Sequence, residues 1–159
     1  EAMSISDRIV VMQAGRVTQI DTPYKLYDQP RSTFISTFVG KANLLTGYAR
    51  SNGAQGQIDI GGVFFDISLM ALDPDVQIIL SLRPEKISFV PTGQGHFDGV
   101  VTARYFLGDQ WIYYLSTSVG ELVVVTPNAD YEPLAEQTQT GLTWSVNSLR
   151  RLTNRNDQQ

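Results

Sequence analysis

Cysteine and histidine, two residue types often used in nucleophilic, acid–base and metal chemistry, are nearly absent from this 159-residue sequence. There is no cysteine, which excludes disulfides, thiolate metal sites and thiol nucleophiles. The only histidine, His96, lies in a glycine-rich stretch with no acid–base or metal-ligating partner beside it in the sequence. We therefore interpret His96 as a solvated loop residue rather than a titrating switch.

Two further patterns could be taken for catalytic or nucleotide-binding motifs. Asp73 and Asp75 could form a carboxylate pair for hydrolysis, but they flank Pro74 and are typical of a turn. A P-loop ends in Gly-Lys-Ser/Thr after an earlier glycine, whereas Gly40-Lys41 is followed by Ala42 and Ile35 stands at the position of that glycine. We predict no catalytic, cofactor-binding or metal-ligating residue in this chain.

The tripeptide Arg83-Pro84-Glu85 is the candidate site with the clearest structural meaning. In an extended chain Arg83 and Glu85 would share one face and could bind another strand or subunit. An exposed ion pair contributes only about 0–1 kcal/mol. We interpret the tripeptide as structural, fixing the exit of a strand or making a subunit contact, rather than as a ligand site.

Five aromatic residues lie close together on two predicted neighbouring strands: Tyr105, Phe106, Trp111, Tyr113 and Tyr114. Such a cluster could stack bases or sugars. Only Arg104 supplies positive charge nearby, and 12 basic against 16 acidic residues give a net charge of −4, which disfavours nucleic acid. We predict that the cluster packs in the core and that nucleic acid is not a partner.

The N-terminal quarter of the chain predicts a hairpin followed by two short helices. Arg8 to Met12 and Val17 to Ile20 form the hairpin, with Gly15 in the turn, and the apolar run Ile9 to Val11 indicates a strand covered on both faces. Thr22-Pro23 begins a helix that runs through Tyr27. After Pro30, the residues from Ser32 to Val39 form the second helix, and Gly40 to Asn43 mark a domain boundary.

The remainder predicts short strands separated by turn residues, which is typical of a sandwich or a small Greek-key barrel. The predicted strands are Thr46 to Arg50, Gln57 to Ile60, Val63 to Ile67, Val76 to Leu82, Gly99 to Leu107, Trp111 to Ser116, Leu122 to Thr126 and Thr143 to Val146. No apolar run approaches the ~18 residues of a membrane-spanning helix, and the N-terminus lacks the zones of a signal peptide. With 42% hydrophobic residues, the chain is expected to be soluble and globular.

In the first segment, the types and spacing of a set of residues resemble the stretch that follows the switch histidine in importer-type ABC ATPases. The family pattern is matched by Asp7, Arg8, Ile9 to Met12, Gly15, Arg16, Gln19, Thr22, Pro23, Tyr27, Pro30, Phe34, Phe38, Gly40 and Asn43. The second segment resembles the transport-associated OB (TOBE) domain of the same proteins. The residues that carry this resemblance are Leu82-Arg83-Pro84-Glu85, Ile87, Leu107-Gly108 and the run Leu149, Arg150, Arg151 and Leu152.

The resemblance implies a mainly β fold, with an OB-like small barrel preceded by a β-hairpin and two short helices. Residues 1–43 would be the C-terminal remnant of a nucleotide-binding domain, 44–153 an OB-like regulatory domain and 154–159 a flexible tail. No signature loop, metal-binding Asp after an apolar strand, or switch His precedes the hairpin. The chain alone is therefore expected to bind neither ATP nor Mg²⁺, which belong to the parent protein.

The implied function is the regulatory and dimerisation portion of the ATP-binding subunit of a solute importer. Its implied partners are a second copy, membrane-spanning permease subunits and a small-molecule regulator, and its location is the inner face of the plasma membrane. Sugars, polyamines, ferric iron and phosphonates remain open as the solute. The alternative is a stand-alone OB-type protein that binds a small anion or an oligosaccharide, which would not need the ATPase-like segment.

Overall fold

A computed structural model of the chain describes residues 6–29, 41–52, 55–67 and 76–152. Within these ranges there is one α-helix, α1 (Pro23–Asp28), and there are two 3₁₀ turns, Pro84–Lys86 and Val146–Ser148. The strands are β1 (Ile9–Gln13), β2 (Arg16–Asp21), β3 (Asn43–Asn52), β4 (Gln55–Ile60), β5 (Val63–Asp66), β6 (Gln77–Leu82), β7 (Ser88–Val90), β8 (Phe97–Phe106), β9 (Gln110–Thr117), β10 (Gly120–Pro127), β11 (Gln139–Thr143) and β12 (Arg150–Leu152).

The N-terminal hairpin and the helix that follows it form as predicted. Strands β1 and β2 pair antiparallel, and the turn between them places Gly15 at φ +75°, where a side chain would be strained. The Thr22 hydroxyl accepts a hydrogen bond from the Lys25 backbone N–H (3.4 Å) and so caps α1, with Pro23 in the first turn. The predicted second helix, Ser32 to Val39, lies outside the described residues.

The prediction that β1 is covered on both faces is wrong within the described part of the chain. Val11 is buried against Leu26, and Ile9 packs against the same pair, but the Val10 side chain is 51% exposed. Alternate residues of a strand point to opposite faces, and α1 covers only one of them.

The rest of the chain folds into two five-stranded antiparallel sheets. One has the strand order β10-β9-β8-β11-β7, and the other has the order β12-β6-β3-β4-β5. A single hydrophobic cluster of 18 buried residues takes side chains from both, including Leu45, Leu80, Leu115, Leu122 and Leu142. The predicted mainly β class is confirmed.

The side chain of Asn43 links the two sheets at the start of β3. Its amide nitrogen donates to the Val123 carbonyl (2.8 Å) and its oxygen accepts from the Val123 N–H (2.8 Å), so Asn43 pairs with the edge strand β10 as another strand would. Asn43 is buried, which makes both bonds necessary to satisfy the amide.

The sequence misplaces the last predicted strand and omits two short ones. Thr143 is the final residue of β11, and the chain beyond it leaves the sheet because Ser145 caps a 3₁₀ turn by accepting a hydrogen bond from Asn147 N (3.3 Å). Strand β7 was not predicted, and β12 appeared only as part of a family motif. Each has three residues, which is too short for an alternating pattern to register.

Candidate functional site

The tripeptide Arg83-Pro84-Glu85 forms a turn directly after β6, as predicted, and not the extended arrangement in which Arg83 and Glu85 would share one face. The chain turns at Pro84, where Lys86 N donates to Arg83 O (3.0 Å) and Ile87 N donates to Pro84 O (3.4 Å). The turn leaves Arg83 buried at 3% exposure while Glu85 is exposed. The tripeptide therefore has one buried and one exposed charge and does not form an exposed ion pair.

Arg83 joins the helix α1 to the β domain. Its Nε donates to the Tyr27 carbonyl (2.9 Å), its Nη1 donates to the Lys41 carbonyl (3.4 Å), and its guanidinium lies 4.1 Å from the centre of the Tyr27 ring. Burial lowers the pKa of Arg83, although Tyr27, Glu85 and Asp28 oppose that shift. Arginine nevertheless stays charged in proteins, so the guanidinium is a permanent cation at this junction.

Glu85 reaches the same helix from the outer side of the turn. It interacts with the Tyr27 side chain, and burial together with this interaction raises the pKa of Tyr27 to about 12. The Tyr27 hydroxyl is thus the donor to the Glu85 carboxylate at neutral pH. Tyr27 is held between Arg83 and Glu85, two members of the predicted tripeptide.

Asp28 forms the second contact of α1 with the β domain. Its carboxylate is largely buried and lies 3.3 Å from Arg150 Nη2 and 3.7 Å from Lys86 Nζ. Arg150 Nε also donates to the Asp28 backbone carbonyl (3.2 Å), at the C-terminal end of the helix, where a cation is favoured. These residues line a polar pocket of about 230 Å³.

A second cavity lies on the other side of Glu85. This cleft has a volume of about 410 Å³ and is lined mainly by aromatic and apolar residues, with Glu85 and Glu132 among them. The Tyr113 hydroxyl accepts a hydrogen bond from Leu134 N (3.2 Å) at its wall, and burial raises the pKa of Tyr113. We name this cavity the Glu85 cleft.

His96 lies in the loop before β8, as predicted, but it is not fully solvated. It is half-buried, and its ring packs edge-on to Phe65 with ring centres 4.7 Å apart. Its Nε2–H donates to the Trp144 carbonyl (2.9 Å), which assigns the tautomer because a carbonyl only accepts. His96 belongs to the aromatic end of the core.

The aromatic cluster is only partly a core feature. Tyr113 is buried and Trp111 packs against the core, as predicted. Tyr105 and Phe106 are instead more than half exposed, at the end of β8 that extends beyond its pairing with β11. The Tyr114 hydroxyl accepts a hydrogen bond from Lys41 Nζ (3.0 Å). Lys41, from the Gly-Lys pair that does not form a P-loop, therefore contacts strand β9.

The remaining sequence predictions concern turns and metals. Asp73 and Asp75 lie outside the described residues. In the ranges that the structure describes, no group of three or more His, Asp or Glu side chains could hold a metal ion. None of the helices described there has the length and hydrophobicity required to span a bilayer.

Comparison with protein families identifies the second segment. Residues 80–152 match the family model described as the TOBE domain, so the chain contains a TOBE domain that includes the Arg83 turn and Arg150. Over most of its length the chain is homologous to the C-terminal region of ABC importer ATP-binding subunits. This relationship supports the importer interpretation over a stand-alone OB-type binding protein.

Three relatives illustrate the relationship. The chain is 37% identical over 138 residues to the spermidine/putrescine import ATP-binding protein PotA of Pseudomonas aeruginosa, which covers 81% of this chain and 38% of the relative. It is 33% identical over 150 residues to the Fe(3+) ions import ATP-binding protein FbpC 1 of Rhizobium meliloti, covering 94% and 42%. A PotA protein of Borrelia garinii is 32% identical over 108 residues, covering 68% and 30%.

The chain thus spans about two fifths of the length of the first two of these relatives. Among solved structures, the cytoplasmic molybdate-binding protein ModG, in a form with molybdate bound, has a TM-score of 0.49 and 11% sequence identity. That match covers 67% of this chain and 92% of ModG, a level of similarity that supports no conclusion about ligands.

Proposed function

We propose that this chain is the regulatory and dimerisation portion of the ATP-binding subunit of a solute importer. The observation that carries the proposal is the buried Arg83, which ties a helix from the ATPase-like segment to the TOBE domain. In the whole protein, ATP and Mg²⁺ would bind in the preceding nucleotide-binding domain. Permease subunits would hold the protein at the inner face of the plasma membrane.

The junction between α1 and the TOBE domain is suited to transmitting movement. Arg83 contacts the helix backbone and the Tyr27 ring, and Arg150 contacts both the side chain and the carbonyl of Asp28. Because these bonds hold the helix C-terminus at several points, a displacement of α1 must move the Arg83 turn and β12 with it. The TOBE domain would follow, and in turn restrain, the opening and closing of the ATPase.

The division of the chain into 1–43, 44–153 and 154–159 is part of this proposal. The core of the β domain is continuous across both sheets, so it should fold without the hairpin and α1. A chain that starts at Lys41, and so keeps Asn43, should give a dispersed amide spectrum. A collapsed spectrum for residues 41–159 would refute the division.

Self-association is proposed from exposed apolar side chains in two places. On the hairpin, Val10, Met12 and Val17 are each more than half exposed, and on the β domain so are Tyr105, Phe106 and Leu107. Covering large apolar side chains stabilises by roughly 1.5–3 kcal/mol each, which favours a dimer. Light scattering should show a dimer, and deletion of residues 1–40 would tell whether the hairpin or the β domain forms it. A monomer at high micromolar concentration would refute it.

The solute of the proposed importer is one of the classes that the resemblance implies: sugars, polyamines, ferric iron or phosphonates. Two of the relatives named above are polyamine importer subunits and one imports ferric iron, as their names state. Solute selection in such an importer would depend on the membrane and solute-binding subunits. The α1 junction and the TOBE core can therefore be the same in importers of different solutes.

The importer assignment is tested by the coding sequence immediately upstream of residue 1. An in-frame P-loop and signature motif are expected there. An in-frame stop codon directly before Glu1 would refute the assignment. In the full-length protein, Arg150→Met should lower solute uptake per ATP hydrolysed, while Arg151→Met, on the exposed side of the same strand, should not. Equal coupling in the two variants would contradict a transmitting role for the junction.

A further inference from the structure

We propose that the Glu85 cleft binds a small organic cation, with an ammonium group on an apolar stem, and that this ligand competes with Tyr27 for Glu85. The binding step stands on the cleft alone. The regulatory consequence rests on the proposed function, because it requires α1 to be linked to an ATPase domain.

The size and lining of the cleft suit a small molecule. Its volume of about 410 Å³ is in the range of small-ligand sites, roughly 300–1,000 Å³. Phe89 and Tyr113 meet edge to face with ring centres 5.2 Å apart, and Leu134 adds an aliphatic wall. These surfaces would bury the apolar stem of a ligand.

The charge of the lining selects a cation. Two carboxylates, Glu85 and Glu132, line the cleft, and none of the described lining residues is basic. Arg104 approaches from outside, where it donates to the Leu134 carbonyl (2.8 Å) and lies over the Trp111 ring. Carboxylates beside aromatic faces attract ammonium groups through ion pairing and cation–π contacts. An anion would meet repulsion here.

A buried hydroxyl in the cleft wall supplies a further polar contact. Thr126 is 9% exposed, and its Oγ1 is buried without a hydrogen-bond partner among the described residues. Buried polar groups are usually satisfied, so an unused hydroxyl in the wall of a cleft is typical of a place where a ligand donor completes the bonding. An ammonium N–H could provide that donor after a small adjustment of the wall.

Glu85 connects the cleft to α1. Glu85 lines the cleft, and it also interacts with the Tyr27 side chain, whose pKa it helps to raise. An ammonium group that binds Glu85 would draw the carboxylate into the cleft and weaken its bond to Tyr27. Ligand binding would therefore loosen one of the contacts that hold the helix, while Arg83 and Arg150 keep theirs.

The binding step is tested with benzylamine, which is an ammonium ion at neutral pH, against the matched neutral probe benzyl alcohol and the anion benzoate. Titration of the whole 159-residue chain should shift the amide signals of Phe89, Thr126 and Leu134, and benzylamine should bind at least several-fold more tightly than the other two. Shifts confined to other residues, no shift at tens of millimolar, or equal affinity for benzyl alcohol would overturn the proposal.

Matched variants test whether a carboxylate of the cleft binds the ammonium group. Glu132→Gln should weaken benzylamine binding about three- to tenfold, whereas Glu136→Gln, exposed nearby but outside the cleft, should leave it unchanged. Both residues are on the surface, so both variants should fold. An equal effect of the two substitutions would show that benzylamine does not bind in the Glu85 cleft.

The competition is tested by Tyr27→Phe, which frees Glu85 from its hydrogen bond. Benzylamine should then bind about two- to threefold more tightly, because the ligand no longer displaces the hydroxyl. Unchanged or weaker binding would overturn the link to α1. These measurements use only this chain, so their failure is distinguishable from a failure of the importer assignment, which the upstream coding sequence decides.

Discussion

The hairpin and α1 differ from the two-sheet domain in what holds them in place. Among the described residues, the hairpin–helix segment has a small core of Val11 and Leu26, with Ile9 beside them, while the β domain has one cluster of 18. The small segment is fixed instead by polar contacts with its neighbour, through Tyr27 and Asp28. Because these contacts hold the described part of the segment at a few polar points, it is suitable as a movable connection.

The largest expected effect separates the two cores. Leu80 is fully buried at the centre of the β domain, and Leu80→Ala should lower the free energy of unfolding by about 2–5 kcal/mol. Leu26→Ala, an equally buried leucine in the small core, should leave the main thermal transition nearly unchanged and increase amide exchange in β1 and β2. Equal losses in the main transition would show that the two regions unfold as one unit.

The next effect concerns the link between the sheets. Asn43→Ala removes both bonds to Val123 and leaves its partly buried backbone N–H and C=O without these partners, so we expect a loss of about 1–3 kcal/mol in urea unfolding. Leu44→Ala is the control in the same strand, because that side chain is 44% exposed. If the two variants were equally stable, Asn43 would not be joining the sheets.

A smaller effect is expected at the helix junction. Arg150→Met should destabilise the position of α1 by roughly 1 kcal/mol, since Arg150 and Lys86 are both partly exposed and water screens their ion pairs with Asp28. Amide exchange at Tyr27 and Asp28 should increase while the core amides stay protected. Increased exchange throughout the β domain would show that the junction supports the whole fold.

The smallest effect follows from the pKa of Tyr27. The folded chain holds this pKa at about 12, above its ordinary value of 10.0, because burial and the bond to Glu85 favour the neutral phenol. The stabilisation is therefore complete below pH 10 and is lost as the pH rises from about 10 to 12. Tyr27→Phe should lack this loss, measured as the difference between the two stability curves. If the stabilities of the unmodified chain and of Tyr27→Phe changed in parallel between about pH 10 and 12, the raised pKa of Tyr27 would be contradicted.

The sequence predicts best where a local rule decides the structure. Gly15 sets the hairpin turn and Thr22-Pro23 starts the helix, and both depend only on neighbours within a few residues. The strands with alternating burial were placed to within a few residues for the same reason. The mainly β class followed from them.

The site was predictable only in part, because its contacts join distant positions. The Arg83 turn was singled out, but its helix partner Tyr27 lies 56 residues earlier, and Arg150 meets Asp28 across 122 residues. The sequence does not indicate the partial burial of His96, because the rings that pack against it, Phe65 and Trp144, come from separate parts of the chain. The Glu85 cleft had no sequence signal, since its residues are spread from β7 to the loop after β10.

The strand order of the second sheet has a consequence for synthesis on the ribosome. Strand β3 opens the domain and β12 closes it, yet both are hydrogen-bonded to β6 in the same sheet. The sheet therefore cannot be completed until almost the last residue of the domain has left the exit tunnel, and its high contact order predicts slow folding. Until then the edge of β6 is open to other chains, so premature termination before Arg150 should yield aggregating rather than partly active protein.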